Sequence, residues 1–270
     1  MVSQNSQLEH AGKEKPMDDG NIVGTIDVAE LALYLFFLFF AGLIFWLRRE
    51  DRREGYPLEE EDGRLLPDGG PLSKAPTKTF KLPNGKGTHS VPHPDDRDPV
   101  DIAAKQREPF PGSPYIPTGN PLEDGIGPAG YAQRAKWPDQ DRHGHNRLVP
   151  MSASDEITIA PLSKDPRGLT VIAADGKTAG TVRDLWVDHE EHVIRYLEVD
   201  TGTRTALAPM TMARIWGGRV LLDAINADDY AGVPQLSVAG QITRDEEERI
   251  VAYFGGGYLY ANQERQEPFI

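Results

Sequence analysis

The chain has 270 residues, contains no cysteine and carries a formal net charge of −13 at pH 7. Without cysteine it has no disulfide framework, no thiolate metal site and no cysteine nucleophile. Residues 151–270 hold −8 of the net charge, which argues against a nucleic acid partner and against contact with anionic lipid through that part of the chain.

The first predicted element is a membrane-spanning helix over residues 28–48. Leu31–Leu47 is an uninterrupted uncharged run of 17 residues, LALYLFFLFFAGLIFWL. At about 1.5 Å per residue the run spans about 26 Å, and its extension back to Val28 reaches about 30 Å, the thickness of the hydrocarbon core of a bilayer. The chain is therefore expected to cross a membrane once.

The orientation of this helix follows from the charges on either side of it. Residues 1–27 contain only two lysines, whereas four arginines follow the apolar run: Arg48, Arg49, Arg52 and Arg53. The positive-inside rule predicts that residues 1–27 form an external tail and that the rest of the chain lies in the cytoplasm.

Two other interpretations of the apolar run are weaker. A secretory signal peptide has a shorter apolar stretch, a basic flank before it and a cleavage site of small residues after it, and this run has none of these features. A helix that is apolar on all sides and buried in a soluble protein needs a large surrounding core, and the composition of the following segment does not indicate one.

Residues 49–150 form a segment rich in proline and glycine. Residues 55–150 hold 16 of the 22 prolines and 12 glycines, a composition typical of a linker. Aromatic residues are nevertheless spaced through this segment: Tyr56, Phe80, Phe110, Tyr115, Tyr131 and Trp137. We therefore predict an extended segment that lies against a partner protein, with short strands at Thr79–Leu82 and Thr88–Val91 joined through the turn at Pro83-Asn84-Gly85.

Residues 151–260 have the pattern of a single mainly-β domain. Short apolar stretches separated by turn residues predict antiparallel strands in a small barrel or sandwich. The predicted strands are Leu169–Ala173, Ala179–Val187, Val193–Val199, Thr205–Ala208 and Arg219–Ile225. A short C-terminal helix follows, because Thr243 and Glu246 have the spacing of a capping box, and Gly255-Gly256-Gly257 is expected to end it. We predict a C-terminal tail over residues 261–270.

Motif searches argue against an enzyme. The stretch from Gly125 to Gly130 matches G-x-G-x-x-G, but no predicted strand precedes it, no helix follows it and Pro128 interrupts it, so it does not predict a dinucleotide site. The sequence has no P-loop, no H-E-x-x-H and no G-x-S-x-G. The common nucleotide, metalloprotease and hydrolase chemistries therefore lack their residues.

The first of two titratable clusters is Asp141-Arg142-His143-Gly144-His145. An extended backbone would point both imidazoles to the same side, since side chains alternate with a period of two. Two imidazoles so placed can bind a divalent metal ion or pass protons, because imidazole titrates close to physiological pH. The alternative is an ordinary solvated loop.

The second cluster, Asp188-His189-Glu190-Glu191-His192, lies in the predicted hairpin turn between two apolar strands. Neighbouring carboxylates disfavour each other's negative charge, so such a cluster is suited to hold a proton near neutral pH. Arg195, on the strand that follows, would oppose this by stabilising the ionised form. The alternative is a solvated hairpin tip.

Several stretches of the sequence together resemble one known family. A single helix ending in A-G-L-I-F-W-L is followed by R-E-G-Y-P-L-E from Arg53 to Glu59. Further stretches similar to that family follow in the same order: Thr79–Pro83, Pro117–Pro121, Asp124–Ala129, His143–Asn146 and Asp184–Asp188. In these stretches the chain resembles the H subunit of the purple-bacterial photosynthetic reaction centre, and the resemblance covers almost everything after Asp27.

This resemblance implies a fold, a role and a set of partners. The expected fold is one transmembrane helix plus a cytoplasmic mainly-β domain, a small antiparallel PRC-type barrel. The chain would cap the cytoplasmic side of the L and M subunits, stabilise the quinone sites and help deliver protons to the secondary quinone. It would hold no cofactor itself; bacteriochlorophyll, bacteriopheophytin, quinones and a non-haem iron would be bound by L and M. A light-harvesting antenna, membrane lipids and a cytochrome subunit are further expected partners in the bacterial inner, photosynthetic membrane.

The resemblance also assigns roles to residues of both clusters. Asp141, His143 and His145 match the proton-uptake site of the family, at which divalent metals bind and slow uptake. Asp188 and Glu191 match acidic groups farther along the route, and Arg195 matches a basic residue beside them. Two departures affect these assignments. Arg142 adds a positive charge beside both histidines, which is expected to weaken metal binding, and Glu190 makes it uncertain which carboxylate of the second cluster matters most.

Two other functions remain open at this point. The chain could be a membrane-tethered adaptor that uses its barrel to dock proteins without any link to photochemistry. A metal-dependent hydrolase using His143 and His145 is a third alternative, although no third ligand stands at a recognisable spacing.

Overall fold

A computed structural model describes residues 21–23, 26–56, 58, 60, 64, 66–67, 70, 73–92, 101–110, 112–127, 130–155 and 157–262. Most of the expected external tail and of the C-terminal tail lies outside these residues. The chain divides into two units, one of Met1–Thr79 with Ser90–Pro94 and the other of Phe80–His89 with Asp95–Ile270.

The first unit is dominated by one long apolar helix. Two short paired strands, β1 (Asn21–Val23) and β2 (Ile26–Asp27), precede helix α1 (Val28–Glu50). The helix begins at Asp27, whose side-chain Oδ1 accepts a hydrogen bond from the Glu30 backbone N–H at 2.6 Å, an N-cap that satisfies one free amide. It is long and apolar enough to cross a membrane, and none of its residues is buried within the chain. The predicted helix is confirmed and extends two residues beyond its predicted end.

An ion-pair cluster closes the C-terminal end of α1. The Glu50 carboxylate lies 2.8 Å from Arg53 Nε and 2.6 Å from Lys78 Nζ. The Arg53 guanidinium also donates to the carbonyl oxygens of Pro76 and Val91. The helix end is therefore tied to two later parts of the same unit.

Short hairpins interrupt the proline-rich segment. Strands β3 (Lys78–Lys81) and β4 (Thr88–Val91) pair with each other, and β5 (Ala104–Gln106) pairs antiparallel with β6 (Tyr115–Pro117). The predicted turn between β3 and β4 is present, with Asn84 and Gly85 at φ 56° and 71°. The strands predicted in this region are confirmed to within one residue at each end.

The second unit is built on a seven-stranded sheet, counted over the described residues. The strands are β7 (Leu148–Pro150), β8 (Thr170–Ile172), β9 (Thr178–Asp188), β10 (Val193–Asp200), β11 (Thr205–Pro209), β12 (Arg214–Trp216) and β13 (Arg219–Leu221). Their order is β11-β10-β9-β8-β13-β12, and β7 pairs with β9 as well. The pairings are antiparallel except that of β8 with β13, which is parallel. The mainly-β fold predicted from the sequence is confirmed.

The core lies between this sheet and the C-terminal helix. The second half of β9, Asp184 to Asp188, is buried on both faces, and the buried residues of the two central strands include Trp186 and Leu197. Trp186 keeps a partner for its indole N–H, which donates to Glu198 Oε2 at 2.9 Å. Phe254 of the helix meets the Tyr230 ring edge-on at 5.9 Å, a geometry favoured by aromatic pairs.

The C-terminal helix α2 (Arg244–Tyr260) confirms one sequence prediction and corrects another. Thr243 and Glu246 form the predicted capping box, each side chain bonded to the backbone of the other. The three glycines were expected to end the helix, but it continues through them to Tyr260. An added Cβ would lie 2.3 Å from Ile225 Cγ2 at Gly257 and 3.0 Å from the Ile126 carbonyl oxygen at Gly256. Glycine is therefore used here for close packing, not for termination.

Candidate functional site

The first cluster lies in a tight turn and not on the extended backbone that was considered for it. The Asp141 backbone N–H donates to the His145 carbonyl at 2.9 Å, and Gly144 has φ 90°, a conformation that favours glycine. The Asp141 Oδ1 accepts from the backbone N–H groups of His143 at 2.7 Å and His145 at 2.8 Å. An aspartate that bonds the amides after it stabilises a turn, which explains why the backbone does not extend.

The same carboxylate also faces an imidazole. His145 Nδ1 lies 3.1 Å from Asp141 Oδ2. Burial of Asp141 opposes its ionisation, but the amide N–H groups of His145 and His143 and the His145 ring outweigh this effect, so the pKa of Asp141 lies below its ordinary value. Asp141 is therefore held as a carboxylate that orients the His145 ring.

The two imidazoles are close, but they do not form a complete metal site. Their ring centroids are 6.1 Å apart, and Arg142 Nε donates to His143 Nε2 at 2.9 Å. Within the part of the chain that the structure describes, no three His, Asp or Glu side chains are grouped so that they could hold a metal ion. Binding of a divalent ion by Asp141, His143 and His145 stays a prediction, and it requires Arg142 to leave His143.

The second cluster lies at the end of β9, between two neighbouring strands. Asp188 pairs with Val193 of β10 and with Leu148 of β7. Its side chain is only 2% exposed, and its Oδ1 accepts from the backbone N–H groups of Glu190 at 3.0 Å and Glu191 at 3.1 Å. Asp188 therefore shapes the hairpin turn as Asp141 shapes its own turn.

Arg147 connects this hairpin to the segment that carries the histidines. Its Nη2 lies 2.8 Å from Asp188 Oδ2 and 2.9 Å from Glu191 Oε1, and its Nη1 lies 3.4 Å from Asp139 Oδ2. These contacts raise the pKa of Arg147, with the bond to Glu191 contributing most. Arg147 is only two residues after His145, so it ties the two clusters together.

Residues of both clusters also line one open depression on the surface. Its ionisable lining residues are Asp141, His145, Asp155, His189, Glu190 and His192. The His189 Nε2 lies 2.8 Å from the Asn146 carbonyl oxygen, which holds the hairpin tip beside the first turn. The structure therefore brings together two clusters that are more than 40 residues apart in sequence.

Arg195 is the last of the predicted site residues. It contacts the carboxyl group of Glu247, which the sequence analysis missed. Its guanidinium lies 3.5 Å from Asp188 Oδ2 and 3.0 Å from Glu247 Oε2. Glu247 belongs to the first turn of α2, and its Oε2 also accepts a hydrogen bond from the Tyr196 hydroxyl at 3.2 Å. Burial raises the pKa of Glu247, and the nearby Arg195 and Tyr196 oppose this.

The site therefore contains four residues that were not predicted: Asp139, Arg147, Tyr196 and Glu247. The pairing of β7 with β9 brings Arg147 into the site. The packing of α2 brings in Glu247, since the first backbone N–H groups of this helix donate to the carbonyls of Trp137 and Ala135. Both contacts join distant parts of the chain, and no local pattern indicates them. For Tyr196, alternation along the strand with Arg195 indicates burial but not its partner.

Comparison with known families assigns the chain. Residues 20–153 match the family model described as photosynthetic reaction centre, H-chain N-terminal region. Residues 162–229 match the PRC-barrel domain. The chain belongs to the reaction-centre H-chain family. The matched regions include the apolar helix, both hairpins of the proline-rich segment and all seven described strands of the sheet.

Membership in the H-chain family indicates how the chain is anchored and with what it associates. An H chain with one apolar helix near its N-terminus is a membrane-anchored, single-pass protein. It is a structural subunit that associates with the core of the reaction centre. The PRC-barrel match falls within residues 151–260, for which a small barrel was predicted.

Proposed function

We propose that this H chain carries protons from the cytoplasm toward the secondary quinone, in addition to capping the core and stabilising the quinone sites. Reduction of a quinone to a quinol consumes two protons inside a sealed membrane protein, so groups that bind and release protons must lead inward from the surface. Asp141, His143 and His145 would take up the protons, and Asp188 and Glu191 beside Arg195 would pass them on.

One observation carries this proposal: Arg147 and the shared depression join the two clusters. His145 lines the depression together with Glu190 and His192, and the guanidinium two residues beyond His145 bonds both Asp188 and Glu191. Glu191 is 59% exposed and Asp188 is buried. Glu191 is therefore at the solvent side and Asp188 in the interior of the domain, which is the order that an inward proton route requires.

The partners follow from the exposed aromatic residues of the first 150 residues. Five of those predicted to contact a partner are between 40% and 58% exposed: Tyr56, Phe80, Phe110, Tyr115 and Trp137. Exposed aromatic side chains on an extended segment favour burial against another protein. We assign this surface to the L and M subunits, which would hold the bacteriochlorophyll, bacteriopheophytin, quinones and non-haem iron. The antenna, membrane lipids and a cytochrome subunit complete the proposed complex.

The proposed orientation has the N-terminus in the periplasm and the bulk of the chain in the cytoplasm of a photosynthetic bacterial inner membrane. Arginines at the C-terminal end of α1 support it. Protease treatment of sealed inside-out membrane vesicles tests it, since residues 151–260 should then be digested while the N-terminal tail is protected.

The decisive experiment measures flash-induced proton uptake in the purified complex. Replacement of both His143 and His145 with alanine should slow uptake partially, because the acidic surroundings offer other acceptors, and should remove inhibition by divalent metal ions. Arg134→Gln is a suitable control, since Arg134 pairs with Glu248 at 3.0 Å, away from the depression. Unchanged uptake and unchanged metal sensitivity in the double variant would refute the proposed route.

A further inference from the structure

Glu247 of α2 lies at one end of the ion-pair network described above. Its side chain is 14% exposed. The groups that face it are Arg195 and Tyr196 from β10, Asp188 from β9 and Asp139 from the segment before the histidines. The neighbouring acids of its own helix point elsewhere, Glu246 to the Thr243 cap and Glu248 to Arg134.

The charges of this network do not balance. Among the described residues, four carboxyl groups (Asp139, Asp188, Glu191 and Glu247) share two guanidinium groups (Arg147 and Arg195). When several acids share too few cations in a partly buried place, one of them keeps a proton more readily than an isolated acid would. The distribution of hydrogen-bond donors indicates which one.

Asp188 and Glu247 differ sharply in the donors that reach them. Asp188 has contacts to both guanidinium groups and to two backbone N–H groups. Glu247 has one guanidinium N–H and one hydroxyl, both on Oε2, and no described donor reaches its Oε1. A carboxyl oxygen that lacks a donor, on a side chain still partly open to water, is the natural place for a proton. The raised pKa of Glu247 agrees with this.

We infer that Glu247 is a further proton-holding acid of the route, placed on the C-terminal helix and coupled to Asp188 through the shared Arg195 guanidinium. This inference rests on the proposed proton-delivery function. When Glu247 is protonated, the Arg195 guanidinium forms an ion pair with Asp188 only. When Glu247 loses that proton, Arg195 is shared between the two carboxylates. Protonation of one acid therefore changes how readily the other acid binds a proton.

The test compares Glu247→Gln with Glu248→Gln in the assembled complex. The two residues are adjacent on the same helix, and only Glu247 contacts Arg195. Infrared spectroscopy should show a protonated carboxyl band in the wild type that titrates above the ordinary glutamate range of about 4.3. We expect this band to be missing in Glu247→Gln and present in Glu248→Gln. Proton uptake should be slower in Glu247→Gln and unchanged in Glu248→Gln.

The outcomes separate this inference from the proposed function. If the His143 and His145 variant slows uptake but Glu247→Gln does not, the inference is wrong and the proposed function stands. If neither slows uptake, both are wrong. Should Glu247→Gln fail to assemble, Tyr196→Phe decides: it removes one donor to Glu247, so the band should titrate at higher pH, and an unshifted band would overturn the inference.

Discussion

Replacing Gly257 with alanine tests whether glycine sets the distance between α2 and the turn that follows β13. The new Cβ would lie 2.3 Å from Ile225 Cγ2 and 2.6 Å from the Ala224 carbonyl oxygen. Carbon atoms in contact are about 3.5–4.0 Å apart, so α2 or the turn after β13 has to move by about 1 Å. Overpacking of this kind costs about 1–3 kcal/mol, and the higher helix propensity of alanine returns about 1 kcal/mol. Taking the middle of the overpacking range, we expect a net loss of about 1 kcal/mol in the free energy of unfolding.

The assay is thermal unfolding of the purified complex in mild detergent, followed by circular dichroism. For a domain of about 110 residues the loss corresponds to a fall in Tm of about 4–8 °C. Gly256→Ala is the graded control, because its Cβ would come only to 3.0 Å from the Ile126 carbonyl oxygen and 3.4 Å from Gly127 Cα, and its Tm should fall less. A Gly257→Ala complex as stable as the wild type would refute the close-packing argument. Because α2 carries Glu247, the same displacement should also slow proton uptake.

Three further predictions concern the surface of the site. Arg142→Ala removes a cation whose Nε lies 2.9 Å from His143 Nε2, so the concentration of divalent metal needed to slow proton uptake should fall about tenfold; an unchanged concentration would show that Arg142 does not compete with the metal. Glu191→Gln should slow uptake several-fold because Glu191 contacts Arg147, whereas Glu190→Gln should have little effect, and equal effects would contradict the assignment of Glu191. Asp141 has a lowered pKa in the folded state, so its contribution to stability is complete above the ordinary aspartate range and is lost as the pH falls through the folded value. The protection of the His143 and His145 amides against hydrogen exchange, relative to unstructured amides, should therefore fall only below about pH 4, and a fall already at neutral pH would contradict this.

The sequence predicted the elements whose signals are local. The apolar run, the capping box of Thr243 and Glu246, and the hairpin between β9 and β10 depend on residues a few positions apart. The triple glycine was misread because its close contacts, with Ile126 and Ile225, are more than 30 residues away in sequence. The same reason applies to the site: residues within each cluster were predicted, but Arg147 and Glu247 are brought in by tertiary pairing.

The turn at Asp141 shows a second limit of sequence reasoning. Alternation with a period of two describes His143 and His145 only if the backbone is extended, and a side chain that bonds nearby amides removes that condition. The two imidazoles still come close together, but with the Asp141 carboxylate inside the turn and not beside them on a strand. The role of these residues stays a prediction, and the structure shows that their backbone forms a turn.

The ion-pair cluster of Glu50, Arg53 and Lys78 has a consequence for how the chain tolerates changes in length. By joining the end of α1 to Lys78, it makes residues 54–77 a closed loop whose ends are fixed by charge. The entropy of closing such a loop grows only with the logarithm of its length, so doubling it costs about 0.6 kcal/mol. Insertions between residues 54 and 77 should therefore leave the ion-pair cluster intact. After loss of Lys78, the bonds from Arg53 to the Pro76 and Val91 carbonyl oxygens would still hold the ends of the loop together.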